Sequence, residues 1–202
     1  MSYPVPEKSL ETLYEVKKSK FFARAGFAHT REEAMDFLEQ VKQEYPDARH
    51  HCWAYILGNP WSPASVAMSD DGEPGGTAGK PILNVLQHKG VGDIMMVVTR
   101  YFGGIKLGAG GLVRAYSSSA QQTMEQLPTI EQPSLTQVSI QCDFKYEQLI
   151  RHWVDEHQGF IGDVQYSQDV TMEVLLPEQH ITPLAEFAAS LGASLTADTE
   201  NS

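Results

Sequence analysis

Cysteine is scarce. The chain of 202 residues has two, Cys52 and Cys142, far apart and outside any CxxC pair. This excludes a disulfide framework and a cysteine zinc site, and it points to a reducing, cytoplasmic compartment. Long apolar runs are lacking too. The longest, Ile94-Met95-Met96-Val97-Val98, is far short of the ~20 residues of a membrane-spanning helix, so no membrane partner is expected. Met1 to Lys20 lacks the basic-then-apolar order of a signal peptide. There is no internal repeat and no low-complexity tract. Apolar residues make up 42%, enough for a core, which excludes wholesale disorder.

Positive charge is also short: 15 Lys+Arg stand against 26 Asp+Glu, a net charge of −11. As a total this argues against a polyanionic partner. The shortage is local, however. Residues 134–202 carry two basic residues, Lys145 and Arg151, against 11 acidic ones. The first 133 residues hold the other 13 cations and 15 acids, close to neutrality. Most of the 16 glycines fall between Gly58 and Gly111. Pro128 and Pro133 follow a helix-like run and mark a linker. The expected organisation is therefore two domains, residues 1–130 and 134–202.

The first domain alternates strand and helix signals. Leu10, Thr12, Tyr14 and Val16 alternate with polar residues, and Phe21 to Ala28 returns, which predicts a hairpin turning at residues 17–20. Thr30 and Glu33 form a capping box before a helix with Ala34, Phe37, Leu38 and Val41 on one face. Cys52 to Leu57 reads as a strand, and Ile94 to Thr99 as a buried one. Helices are expected from Pro81 and from Gly111 to about Gln126. The second domain reads strand, helix, strand, strand, helix, strand, the βαββαβ order of a ferredoxin-like fold, with a two-residue turn near Ser167-Gln168.

Two glycine-rich loops each precede a helix. The first, Ser69 to Pro81, ends in Gly79-Lys80 but has Pro74 and Pro81 where a Walker motif needs glycine and a hydroxyl, so an NTPase of that type is excluded. The second, Arg100 to Arg114, contains Gly108-Ala109-Gly110 but has Val113 at the third glycine position of a dinucleotide fingerprint, so no NAD or FAD is expected. What survives is more general. Backbone N–H groups at such helix starts can hold an anion. Lys80, Arg100, Lys106, Gly108, Gly110 and Arg114 are the candidate anion or nucleic-acid contacts, and Tyr101 or Phe102 could stack on a base. A structural alternative stands beside this: Asp70, Asp71 and Glu73 could neutralise Lys80 internally.

Arg49-His50-His51-Cys52-Trp53 offers at most two metal ligands from one strand, so no metal site is expected. Cys52, inside an apolar strand, reads as a buried, inert thiol. His50, Asp71 and Glu73 are the candidate catalytic groups if the chain is an enzyme for a small phosphorylated ligand, a reading that would bring in magnesium. Otherwise no cofactor is expected.

The long motifs Ser69-Asp70-Asp71-Gly72-Glu73-Pro74-Gly75-Gly76-Thr77-Ala78-Gly79-Lys80-Pro81 and Val98-Thr99-Arg100-Tyr101-Phe102-Gly103-Gly104-Ile105-Lys106-Leu107-Gly108 resemble the signature of the IMPACT/YigZ family. Asp47 to Cys52 and Gly110 to Tyr116 also fit, and the resemblance covers nearly the whole chain. It implies an α+β protein of two domains. The first would be an α/β sandwich similar to domain IV of elongation factor G, and the second a ferredoxin-like domain similar to its domain V. It further implies a role in translation, with RNA or the ribosome as partner of the first domain and a protein as partner of the acidic second. Eukaryotic relatives bind the activator of a stress-responsive kinase with help from an extra N-terminal domain not seen here, so that partnership is not expected to transfer. The family brings no agreed catalytic residues.

Overall fold

The computed structural model describes residues 2–132 and 135–197. They divide into two compact units, Ser2–Gln132 and the described residues that follow. Together they form the expected two-unit α+β architecture. No described helix is long and apolar enough to cross a membrane.

The first unit is built on a five-stranded antiparallel sheet. Its strands are β2 (Leu10–Val16), β3 (Ser19–Phe27), β4 (His50–Leu57), β5 (Ser65–Ser69) and β6 (Ile94–Tyr101), in the order β2-β3-β6-β4-β5. Two helices, α2 (Gly79–Lys89) and α3 (Gly108–Gln126), cover one face. Their Ile82, Leu86, Tyr116 and Ala120 pack on Phe21, Cys52, Met96 and Val98. The other face carries α1 (Arg31–Glu44), whose Ala34, Leu38 and Val41 pack with Tyr55, Met95 and Val97. Coverage on both sides explains why β6 is the longest apolar run of the chain: side chains on both of its faces enter a core.

The capping box forms as expected. Thr30 Oγ1 accepts from Glu33 N at 3.2 Å, and Glu33 Oε2 accepts from His29 N at 2.7 Å. The β2–β3 turn is tighter than expected. Only Lys17 and Lys18 form it, with φ of 46° and 63°, the left-handed pair that suits the twist of a two-residue hairpin.

Two expectations need correction. The proline-flanked linker is partly strand: β7 (Thr129–Gln132) pairs antiparallel with β1 (Tyr3–Pro6), so these residues belong to the first unit. Prolines are tolerated there because a two-stranded ribbon leaves half its N–H groups unbonded to the partner. Both helix starts also lie earlier than expected. Helix α2 begins at Gly79 and places Lys80 inside its first turn, while α3 begins at Gly108 and places Arg114 in its second turn.

In the second unit, β8 (Leu135–Cys142), α4 (Glu147–Glu156), β9 (Phe160–Tyr166), β10 (Val170–Pro177), α5 (Ile181–Ser190) and β11 (Ser194–Ala197) follow the βαββαβ order. The sheet order β11-β8-β10-β9 is that of a ferredoxin-like fold. The middle hairpin turns over three residues, with Ser167 N donating to the Asp169 carbonyl at 3.0 Å, not over the two expected.

Candidate functional site

The first glycine loop is tied down by its own acids. The Asp70 carboxylate accepts backbone N–H groups from Gly76, Ala78 and Gly79 at 2.8, 3.1 and 2.8 Å. Partial burial would raise this carboxyl, but the three donors together outweigh it and hold it below the ordinary carboxylate value. A carboxylate of the chain thus occupies the anion position at the start of α2, the place the sequence reading offered to a phosphate. Asp71 follows with φ of 40°, and its Oδ2 accepts His51 N at 2.7 Å, anchoring the loop to the start of β4. Its carbonyl lies 2.9 Å from His50 Nδ1. A carbonyl can only accept, so Nδ1 carries the proton and Nε2 of a neutral His50 is left as an acceptor.

Glu73 turns inward. Its Oε1 accepts from Arg100 NH1 at 2.7 Å and from the Tyr116 hydroxyl at 2.8 Å. The Cys52 thiol lies 3.3 Å from that hydroxyl and 2.9 Å from the Asp70 carbonyl. Burial pushes the Cys52 thiol and the Tyr116 phenol well above their ordinary values, so both keep their protons. Arg100, offered by the sequence as an anion contact, thus already holds a carboxylate, and it is Arg100 and not Lys80 that Glu73 neutralises: the loop brings Glu73 to it across the sheet end.

Strand register gathers further side chains at the same end. In β3, β6 and β4, Lys20 pairs with Tyr101, and Phe21 and His50 both pair with Arg100. Gly103 fixes the second loop to the hairpin tip. Its N–H donates to Ser19 Oγ at 3.1 Å, and a Cβ there would lie 2.0 Å from the Lys18 carbonyl carbon.

Two clefts flank Tyr101 and Phe102. One, of about 410 Å³, is lined by Asp47, Arg49, His50, Arg100, Tyr101 and Phe102. The other, of about 440 Å³, is lined by Lys18, Lys20, Phe22, Tyr45, Tyr101 and Phe102. Between them Phe102 is 59% exposed, with the Arg100 guanidinium carbon 5.7 Å from its ring centre. Tyr101 is only half-buried, but its hydroxyl is committed, donating to Asp47 Oδ1 at 2.7 Å. Burial first and the Asp47 carboxylate second push this phenol up to about 12.

Of the residues expected from the sequence, the structure brings His50, Arg100 and Tyr101 together in one cleft, with Glu73 behind Arg100. Asp71 stands at the rim through His50. Lys80, Lys106, Gly108, Gly110 and Arg114 line neither cleft. They lie exposed at or near the starts of α2 and α3, and the side chain of Leu107, the N-cap residue of α3, makes no capping hydrogen bond. Lys18, Lys20, Asp47 and Arg49 escaped the sequence reading, because strand pairing alone makes them neighbours of Phe102. The Lys17-Lys18 turn was the available signal. Among the described residues no cluster of His, Cys, Asp and Glu has the makings of a metal site.

Residues 17–124 match the family described as the Impact N-terminal domain, and residues 140–193 match a domain of unknown function, DUF1949. The chain is 40% identical over 190 residues to the IMPACT family member YigZ of Escherichia coli (strain K12), covering 94% of this chain and 92% of that protein. It is 33% identical over 190 residues to the IMPACT family member YvyE of Bacillus subtilis (strain 168), covering 94% and 87%. A crystal structure described as that of an hypothetical protein is similar over 99% of this chain and 98% of its own, with 37% identity and a TM-score of 0.75.

Proposed function

The chain belongs to the IMPACT family, and on that premise we propose that it is a cytoplasmic RNA- or ribosome-associated factor acting in the regulation of translation. Its first unit would hold single-stranded RNA at the sheet end. One observation carries this reading: an exposed phenylalanine ring, Phe102, stands between two clefts that hold Lys18, Lys20 and Arg49. These three cations are exposed and enter no ion pair among the described residues. Unstacked bases bind to such rings, and their phosphates to such cations. Arg100 and Tyr101 form the wall behind the ring. Lys106, Arg114 and the N–H groups of Gly108 and Gly110 would extend the phosphate track at the start of α3, and Lys80 would add to it at the start of α2. The acidic second unit would meet a protein.

An enzyme for a small phosphorylated ligand, aided by magnesium, draws less support. The three acids of the first glycine loop, its candidates Asp71 and Glu73 among them, are already employed: Asp70 caps α2, Asp71 anchors β4, and Glu73 serves Arg100 and Tyr116. Of its candidate groups, His50 lines one of the two clefts, and Asp71 and Glu73 line neither.

The test is filter binding of an unstructured RNA to the full chain at several salt concentrations. Affinity should fall as salt rises, and Lys18→Ala, Arg49→Ala and Arg114→Ala should each flatten the logarithmic slope by about 0.7. Absence of retention at low salt sinks the reading.

A further inference from the structure

The smaller cleft is not built for phosphate alone. It contains two guanidinium groups, Arg49 and Arg100, but also the Asp47 carboxylate, which would repel a phosphate placed among them. Asp47 uses Oδ1 to accept the Tyr101 hydroxyl, which leaves Oδ2 and the remaining lone pairs. Arg100 is nine-tenths buried, with Nη1 on Glu73 and Nε closed off from solvent, so it lends the cleft its positive charge and not free donors. Arg49 is exposed and enters no ion pair among the described residues. The cleft therefore offers unspent donors beside an unspent acceptor, at the foot of the exposed Phe102 ring.

This set fits one base better than the others. Guanine has two adjacent donors, N1–H and the N2 amino group, which a carboxylate can accept together. It also has two adjacent acceptors, O6 and N7, which a guanidinium can engage together. Adenine places its one amino donor between two acceptors. Uracil places its one N–H between two carbonyls, and cytosine has one amino group beside two acceptors. None of these three gives a carboxylate two neighbouring donors.

Resting on the RNA reading above, we propose that this cleft selects guanine. The base stacks on Phe102, Asp47 takes its Watson–Crick donors, and Arg49 takes its O6 and N7. The backbone then runs toward the neighbouring cleft, where Lys18 and Lys20 meet phosphate without a carboxylate in the lining.

Fluorescence anisotropy with the full chain and labelled RNA pentamers tests this. The pentamers are UUGUU, UUAUU, UUCUU, UUUUU and UUGUU with inosine for guanosine. UUGUU should bind roughly tenfold tighter than the A, C and U pentamers. Inosine, which lacks the N2 amino group, should lose most of that advantage. Asp47→Ala, at an exposed position, should bring UUGUU down to the level of the rest, with an unchanged melting temperature showing that the fold is intact. Equal affinity for all pentamers, or an advantage that survives Asp47→Ala, overturns guanine selection and leaves the RNA reading standing. So does failure of every pentamer while a long RNA is still retained. Failure of long RNA as well overturns both.

Discussion

Glu73 and Arg100, 27 residues apart in the chain, form an ion pair of 2.7 Å at the sheet end, with both side chains almost closed off from solvent. The Tyr116 hydroxyl donates to the same carboxylate oxygen. The pair joins the first glycine loop to the central strand and to α3, and it holds the Arg100 guanidinium between the Phe21 and Phe102 rings. Removing one partner leaves the other charge buried and uncompensated. Glu73→Gln should therefore lower stability by about 3 kcal/mol, read from the urea midpoint. Adding Arg100→Met should recover part of that loss, because the orphaned charge is gone. A double variant that is less stable by the sum of both single losses would contradict this coupling.

Asp70 does for α2 what a capping side chain does for other helices, from nine positions before Gly79. Asp70→Ala frees three N–H groups at once and removes a negative charge from the positive end of the helix. The expected cost is about 1–2 kcal/mol, measured by chemical unfolding. The same change opens the N–H groups at the start of α2 to a solution anion. Added sulfate should thus stabilise Asp70→Ala more than the parent chain.

How much of this was legible in the sequence depended on distance along the chain. The capping box of α1 lies within four residues, and its helix appears where Thr30 and Glu33 put it. The βαββαβ order of the second unit follows from periodicity, which is also local. The strand pairing of Tyr3–Pro6 with Thr129–Gln132 spans most of the first unit, and prolines concealed both partners. The start of α2 was misplaced because its capping carboxylate belongs to a residue outside the helix. The pairing of Arg100 with Glu73 was hidden for the same reason, its partner lying on a distant loop. The clefts were the least visible, since Lys18, Asp47 and Phe102 sit on three separate segments that only the sheet register unites.

His51 gives a pH dependence of defined sign. It is buried on the α1 side of the sheet, with Nδ1 3.0 Å from Thr99 Oγ1. Burial, the largest influence, holds its imidazole below the ordinary value of 6.5. The unfolded chain then takes up a proton at about 6.5 that the folded chain refuses. Its contribution is full above that value and is lost as pH falls through the lower folded value. Stability measured at pH 7.5 and at pH 5 should show this loss, and His51→Gln should diminish the difference. An unchanged pH slope in His51→Gln would assign the acid sensitivity to other groups.

Tyr101 and Phe102 are adjacent yet should answer differently to substitution. The Phe102 ring is largely in solvent, so Phe102→Ala removes little packing and should change stability by less than about 0.5 kcal/mol. If bases stack on it, the same change should weaken single-stranded RNA binding by about 1–3 kcal/mol, roughly fivefold to a hundredfold. Phe102→Trp, which keeps a flat aromatic face, should retain binding. Tyr101→Phe keeps its ring but frees Asp47 from the hydroxyl that holds it at 2.7 Å. General affinity for RNA should then persist while any discrimination among bases declines, because the carboxylate is no longer fixed. Titration of both variants with the same set of pentamers separates the two roles. Equal losses in Phe102→Ala and Phe102→Trp would show that the ring is not a stacking platform.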